Sequence, residues 1–381
     1  MNAEQTLPRW ADLVLLPIVC LLVALLVAAG VVALVGQNPA EVIAVLVHGA
    51  FGTARGFSYT LYYATTFVFT GLAVAVAFHG GLFNIGGEGQ AVLGGLGTGL
   101  VALWFSAFLP AWIMLPLMLL SGALFGMAWA AVPAYLQAYR GSHVVITTIM
   151  FNFIASTLLV YLLVNHLRPP GGMSVESIAF SESAKLPGMH VFFSWFGIEW
   201  PASPLNLSVL IAALAAWGVY LFLWRTRAGY HLRAVGSSPG AAEYAGIQPR
   251  RQIMIAMAVS GALAGLVGMN EIAGVHGKLL LEFVSGAGFT GIAVALMGRN
   301  HPVGIVLASI LFGALFQGGA EVAFEVRGFS RDMVVMLQGF IVLFSGAMVY
   351  VIAPGLAWGL SRVLRLLGTH KSDTSTGVRH G

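Results

Sequence analysis

The sequence predicts an all-α, polytopic membrane protein with about ten transmembrane helices, and its composition and pattern support this. Of its 381 residues, 59% are hydrophobic and only 8% are charged. A soluble domain carries about 25% charged residues, so this chain is too poor in charge to cover a water-facing surface. Its apolar residues fall into runs of about 20, the length that crosses the hydrocarbon core as a helix. The bilayer is therefore the expected main solvent. The net charge of +4 is interpreted as membrane orientation, with no nucleic-acid partner.

Ten apolar segments are expected to cross the membrane. The first is too long for a cleaved signal peptide, whose core runs about 7–15 residues, and is interpreted as a retained helix. The third and eighth are rich in glycine, which is typical of broken or re-entrant helices. The predicted segments are Leu13–Val35, Tyr59–Phe78, Ile85–Phe105, Trp112–Leu136, Val144–Val164, Leu207–Trp224, Ile253–Ala273, Ser285–Met297, Val303–Val322 and Met333–Ile352.

The basic residues predict that both termini are cytoplasmic. With the loops assigned alternately from a cytoplasmic N-terminus, twelve of the 18 Lys and Arg side chains lie inside, as the positive-inside rule requires. The predicted organisation is a cytoplasmic N-terminus at residues 1–12, a transmembrane domain at 13–352 and a cytoplasmic tail at 353–381. Within the transmembrane domain, an external loop at 166–206 and a basic cytoplasmic loop at 225–252 are expected.

A weak internal similarity predicts two inverted repeats. A glycine-rich segment precedes long apolar runs in each half, at Gly80–Gly99 and at Gly286–Gly304. The second and seventh spans start on opposite sides, so spans two to five and seven to ten are expected to form inverted repeats. Transporters of this plan place their site where the repeats meet.

Several kinds of active centre have no counterpart in the sequence. No G-x-x-x-x-G-K-[ST] phosphate loop, H-E-x-x-H motif or pair of cysteines is present, and the one cysteine is Cys20. The spans lack the ladder of acidic residues expected of a proton pump. Structural positions at the membrane interface are expected for Glu271, Glu282 and Glu321. The sequence therefore predicts no catalytic residue, metal ligand or cofactor in this chain.

The cytoplasmic loop contains a short helix with clear end signals. Ser238 followed by Pro239 is typical of a helix start, and Gly246 suits a left-handed stop. The helix predicted at Pro239–Ala245 is too short to be stable alone in water, so it needs a partner surface. That surface is either an ATPase subunit that delivers force or the lipid headgroups.

Polar residues near the third span are candidates for a solute pathway. In the segment FNIGGEGQ, the glycines allow a helix to begin, and Glu88 then falls in its first turn, near the positive end of the helix dipole. A capping role and a role in the pathway or gate both remain open for Glu88. Asn84 and Gln90 lie in the same segment and belong to the same candidate pathway.

The fifth span carries three further candidates for the pathway. Thr148 and Asn152 are four residues apart, so they share a helix face, and Thr147 lies beside them. These side chains either contact a polar solute or form hydrogen bonds between helices.

Four ordered motifs resemble one family. They are GLFNIGGEGQ at Gly81–Gln90, VVITTIMFNFIA at Val144–Ala155, LRAVGSSPGAAEYAGI at Leu232–Ile247 and GFTGIAVALMGRNHPVG at Gly288–Gly304. Together they resemble the branched-chain amino acid, ribose and nucleoside permease family of ABC importers, and its simple-sugar and nucleoside branch above all. The resemblance extends over roughly Leu13 to Pro354.

The resemblance implies a permease subunit of the bacterial inner membrane that forms the pathway for a nucleoside or simple sugar. It implies a second homologous permease subunit, an ABC ATPase that binds ATP and Mg, and an extracytoplasmic solute-binding lipoprotein. Three positions depart from the family pattern, Asn270 and the pair Ser237–Ser238. By the same resemblance, the coupling residues are Arg233, Gly236, Pro239, Glu243 and Gly246.

A second class of function stays open at this point. An ion-coupled secondary carrier for a small polar solute, or a membrane enzyme, would share the same hydrophobic pattern. Dependence of uptake on an ATPase separates these alternatives from the importer. The sequence leaves open which solute is carried and whether the permease pairs with itself or with a different subunit.

Overall fold

The computed structural model describes residues 15–34 and 36–366, together with Pro8 and Ala11. Most of the predicted cytoplasmic N-terminus, and the tail beyond residue 366, lie outside the described residues. The helices of the described part are α1 Leu16–Leu34, α2 Pro39–Val47, α3 Ala54–His79, α4 Gly87–Phe105, α5 Ala111–Arg140, α6 Val144–Leu162, α7 Met189–Ser194, α8 Ser208–Arg225, α9 Arg227–Ser237, α10 Pro239–Tyr244, α11 Pro249–Gly265, α12 Ala287–Met297, α13 Pro302–Glu325 and α14 Arg331–Leu366.

Each predicted apolar segment coincides with a helix of this all-helical structure. Among the described residues, six helices are long and apolar enough to cross a membrane, counting α6 and α11 with the π-helical turns that extend them. The number of ten crossings stays a prediction. The helix α2 was not predicted, and α14 continues through Pro354 to Leu366, into the region assigned to the tail.

The chain divides into two compact units. One comprises residues 1–40 and 335–381, and its described helices are α1 and most of α14. The other comprises residues 41–334 and contains every candidate site residue. The site therefore lies within a single unit.

The helix α3 forms the core of the larger unit. Every residue from Ala64 to Ala77 is buried, and α8, α11, α12 and α13 pack around the helix. A helix that is apolar on all sides is expected to be enclosed in this way. The helices α5 and α11 approach closely at Gly126, which has no Cβ; a Cβ there would overlap the carbonyl oxygen of Gly261. On α6, Ile146 and Phe153 are exposed, which suits contact with lipid.

The long loop between α6 and α8 is joined to the segment that follows α11. Backbone N–H groups of Ser177 and Phe180 donate to the carbonyl oxygens of Leu279 and Gly277, both at 2.8 Å. The N–H of Leu186 donates to the carbonyl of residue 273 at 2.9 Å. Because residues 277–286 lead directly into α12, the loop is attached to the chain just before that helix begins.

Candidate functional site

The N-termini of α4 and α12 meet in the larger unit. Each helix begins after a non-helical stretch, and each has a glycine at its N-cap, Gly86 for α4 and Gly286 for α12. A Cβ at Gly288 would overlap the backbone N and Cα of Glu88, so the two backbones touch. Glycine N-caps supply no side-chain oxygen, so the first N–H groups of both helices need acceptors from elsewhere.

Glu88 caps the beginning of α12 from the first turn of α4. Its Oε1 accepts from the N–H of Gly286 at 2.9 Å, and its Oε2 accepts from the N–H of Gly288 at 2.8 Å. The carboxylate therefore lies where the positive ends of two helix dipoles converge, which stabilises its charge. The sequence correctly predicted its place in the first turn of α4, but the helix that it caps belongs to the other half of the unit.

Asn152 caps α4 in the same manner from α6. Its Oδ1 accepts from the N–H of Gly89 at 2.8 Å, and its Nδ2 donates to the carbonyl of Ile85 at 3.0 Å. Thr148 is buried on the same face of α6 and packs against Gly86, while its hydroxyl bonds within α6. Thr147 is only partly buried, and its hydroxyl bonds to the carbonyls of residues 143 and 144.

Asn84 and Gln90 form a buried amide pair beneath the start of α4. Asn84 Nδ2 donates to Gln90 Oε1 at 2.9 Å and to Ser260 Oγ at 2.8 Å. Ser260 donates in turn to the carbonyl of Ala73 on α3 at 2.6 Å. The unwound stretch before α4 is thus fixed to both α11 and α3. The candidate pathway residues Asn84, Glu88, Gln90 and Asn152 surround one junction. Glu88 and Asn152 cap helix starts there, and Asn84 joins Gln90 to Ser260 of α11.

A cavity of about 430 Å³ adjoins this junction. Its polar lining comes from Glu88, Ser156, Glu282 and Ser285, and Phe289 supplies an aromatic face. The other lining residues are Val92, Leu159, Val160, Leu281, Val284 and Gly286. A mainly apolar concave surface with a few polar groups is typical of small-molecule sites.

A second buried carboxylate lies at Glu271, in the π-helical turn Met269–His276 that extends α11. Tyr62 donates to its Oε2, and Thr66 donates to its Oε1 at 2.6 Å. Asn270 Nδ2 donates to Thr66 at 2.7 Å, and Asn270 Oδ1 accepts from Ser208 at 2.6 Å. Glu271 is only 6% exposed, so its carboxylate is enclosed by protein, and its expected position at the membrane interface stays a prediction. The polar Asn270, which departs from the family pattern, belongs to this network.

The predicted coupling segment forms two short helices, α9 and α10. Ser238 caps α10 by accepting from the N–H of Ala241 at 3.4 Å, and Gly246 ends it with φ +78°, both as predicted. Ala242 packs with Val235 and Ile247, which holds α10 against α9. The rest of α10 is open to solvent, and the coupling candidates Pro239 and Glu243 lie on this exposed surface.

Gly236 connects this segment to the start of α4. A Cβ at Gly236 would overlap the carbonyl of His79 and approach the N of Gly81, so α9 lies directly against the turn between α3 and α4. Arg233 is half-buried one turn earlier. At the same end of α3, His79 Nε2 lies 3.0 Å from the carbonyl oxygen of Asn300, in the turn between α12 and α13.

Sequence reasoning missed Ser260, Gly286, Gly288 and Glu271 as partners at these junctions. A signal for the glycines was available, because a glycine-led helix with no polar cap of its own must take a capping group from elsewhere. The pairing with Glu88 joins residues about 200 positions apart, and no local pattern reports such a pairing.

Most of the chain matches one known family of proteins. Residues 56–346 match the family described as the permease component of branched-chain amino acid transport systems. The chain belongs to this permease family.

Three relatives are similar to the permease over most of their length. They are the glucose ABC transporter permease protein TsgB13 of Haloferax volcanii (35% identical, 90% of each chain), the guanosine ABC transporter permease protein NupP of Bacillus subtilis (35%, 87% of this chain and 92% of the relative) and the nucleoside ABC transporter permease protein NupB of Lactococcus lactis (32%, 87% and 90%). The predicted family is thereby confirmed, and the relatives in its sugar and nucleoside branch are transport subunits.

Proposed function

We propose that the permease forms the translocation pathway of an ABC importer for a nucleoside or simple sugar. Its partners are an ABC ATPase that binds ATP and Mg, a second homologous permease subunit and an extracytoplasmic solute-binding lipoprotein. Both termini face the cytoplasm, and ten crossings in two inverted repeats frame the pathway. Relatives named for glucose, guanosine and nucleosides support the choice of solute.

The contact of Gly236 with the turn at Gly80–Gly81 is the observation that carries the proposed mechanism. The exposed helix α10 docks on the ATPase, and movement of the ATPase displaces α10. The close packing of α9 passes that motion to the turn before α4. Glu88 then passes it to α12, because its two hydrogen bonds fix the start of one helix to the start of the other. A contiguous set of packed contacts of this kind is the physical requirement for coupling between distant sites.

The experiment compares Gly246→Val with Gly246→Asn in the complete transporter, reconstituted in proteoliposomes. Asparagine tolerates a left-handed backbone, whereas a β-branched residue at positive φ is strained. We expect Gly246→Val to abolish ATP-driven uptake of radiolabelled guanosine and glucose while the complex still assembles. Gly246→Asn is expected to retain uptake, which makes it the matched control.

Two outcomes would count against the proposal. Normal ATP-driven uptake by Gly246→Val would mean that α10 merely lies on the membrane surface. Uptake by the wild-type chain that needs an ion gradient but no ATPase would favour the carrier. The observation that favours that second candidate is Glu271, because a carboxylate buried within a predicted span is a common proton or ion site in carriers.

A further inference from the structure

The cavity beside the junction of α4 and α12 has the features of a recognition site. Its volume of about 430 Å³ falls in the range of roughly 300–1,000 Å³ typical of small-molecule sites. Its wall includes the start of α12, whose first N–H groups are already occupied by Glu88. The dipole end is therefore neutralised by the protein itself and does not need an anionic ligand.

Glu88 keeps acceptor capacity that α12 does not use. An ionised carboxylate offers about four lone-pair sites, and one N–H bonds each oxygen here. The remaining sites can accept from O–H or N–H groups of a ligand. Ser156 and Ser285 add hydroxyl groups that donate or accept, and the half-exposed ring of Phe289 adds a flat apolar face.

The backbone on the far wall of the cavity is unusual. Glu282 and Ser285 have left-handed backbones, with φ of 55° and 48°, although neither is glycine. Such conformations are uncommon for residues with a side chain and concentrate at binding sites and switches. Ser285 Oγ donates to the carbonyl of Glu282 at 2.7 Å, which closes the turn that leads into α12.

The charges of the lining decide which ligands fit. Its ionisable side chains are the two carboxylates Glu88 and Glu282, and the lining includes no Lys, Arg or His. An anionic ligand would therefore meet like charges with no cation to offset them. A neutral ligand with several O–H or N–H donors and an apolar face meets acceptors and an aromatic ring.

We infer that this cavity is a selectivity subsite for neutral, donor-rich solutes and that its two carboxylates reject phosphorylated solutes. The inference rests on the proposed function and deepens it, because it assigns the choice between a nucleoside and its phosphate to one cavity. It also assigns selectivity to residues outside the predicted pathway set, namely Ser156, Glu282, Ser285 and Phe289.

Cysteine protection in the complete transporter, held in lipid nanodiscs, tests this inference. Cys20, the one cysteine of the chain, is first replaced by serine. Ser156→Cys then places a thiol in the cavity, and Thr157→Cys places one on the adjacent exposed position outside the lining. The rate of labelling by a fluorescent maleimide is measured with guanosine, glucose and guanosine monophosphate.

We expect guanosine or glucose to slow labelling of Ser156→Cys, by roughly tenfold at ten times the dissociation constant. Labelling of Thr157→Cys should be unchanged, and guanosine monophosphate should not protect. In a Glu282→Gln background, guanosine monophosphate should begin to protect Ser156→Cys.

The contrary outcomes separate this inference from the proposed function. If wild-type proteoliposomes take up guanosine or glucose with ATP but neither compound protects Ser156→Cys, the subsite is disproved while the importer stands. Equal protection of both cysteines would show a general change of conformation and no local site. Equal protection by guanosine monophosphate would disprove selection by charge. Loss of ATP-driven uptake in the wild type would instead remove the proposed function.

Discussion

Glu88 and Glu271 are two carboxylates inside one helical unit, and they are held in different ways. Glu88 binds two backbone N–H groups of α12 and borders a cavity. Glu271 binds the hydroxyls of Tyr62 and Thr66 and is enclosed by side chains. Backbone donors at a helix start cannot turn away, whereas hydroxyl donors rotate. Water can reach the first carboxylate through its cavity, whereas the second is enclosed. We therefore expect replacement by alanine to cost more stability at Glu271, and replacement by glutamine to cost more at Glu88.

Deleting the enclosed carboxylate should have the largest effect. Glu271→Ala leaves the hydroxyls of Tyr62 and Thr66 without their acceptor. Each unsatisfied buried group costs about 1–3 kcal/mol, so we expect a loss of roughly 3–5 kcal/mol in the free energy of unfolding. Glu88→Ala should cost less, because water in the cavity can bond the freed N–H groups. Thermal unfolding of the purified complex measures both, and a more stable Glu271→Ala than Glu88→Ala would refute the comparison.

Conversion to glutamine should reverse this order. In Glu88→Gln one oxygen becomes an NH₂ group that faces a fixed backbone N–H, so one charge-assisted hydrogen bond is lost. The expected cost is about 1.5–3 kcal/mol. In Glu271→Gln the hydroxyl of Tyr62 can rotate to accept from the new NH₂ group, so a cost below about 1 kcal/mol is expected. Equal losses of thermal stability in the two variants would mean that donor geometry does not distinguish the sites.

Crowding at the helix junction comes next in size. Gly288→Ala places a methyl group against the backbone of Glu88, and overpacking of this kind costs about 1–3 kcal/mol. Because the start of α12 would be displaced, ATP-driven uptake should fall together with thermal stability. Gly218→Ala on α8 is the matched control, since no atom lies within 4 Å of its new Cβ. It should be neutral or stabilising by up to about 1 kcal/mol. An equal loss of thermal stability in both variants would show that the close contact at the start of α12 does not determine stability.

The sequence predicted the position of Glu88 in its helix and the ends of α10, but not the partners of Glu88 and Glu271. The third and eighth spans were predicted to be broken or re-entrant because glycines interrupt apolar runs, and this stays a prediction. Glu88 was correctly placed in the first turn of α4 by its position after Gly86 and Gly87. The short helix α10 was predicted from Ser238, Pro239 and Gly246. These are local signals, which depend on neighbours in the chain.

The interhelical pairings were not predictable in this way. The bonds from Gly286 and Gly288 to Glu88, and from Thr66 to Glu271, join residues about 200 positions apart. Such pairings depend on tertiary packing, which periodicity does not report. For the same reason the sequence left both a cap and a pathway role open for Glu88, and it offered no account of the polar Asn270.

A third carboxylate, Glu176, gives the smallest expected effect because it is less buried than Glu271 and lies in a loop. It pairs with Lys278 at 2.8 Å, and this pair joins the loop between α6 and α8 to the segment before α12. The hydrogen bond from the Lys278 ammonium, with a contribution from Ser174, holds the pKa of Glu176 below its usual range. A carboxyl with a depressed pKa in the folded state stabilises the fold above its unfolded pKa, and this contribution is lost as the pH falls through the folded pKa.

We therefore expect Lys278→Met to lower the thermal stability of the complex slightly at pH 7 but not at a pH below the folded pKa of Glu176. The control is Lys185→Met, which breaks an exposed pair with Glu182 within one turn and should have little effect at either pH. High salt should also remove the difference between Lys278→Met and the wild type, because exposed ion pairs are screened. A stability loss that persisted in acid or in high salt would show that Lys278 acts through the packing of its aliphatic chain and not through its charge.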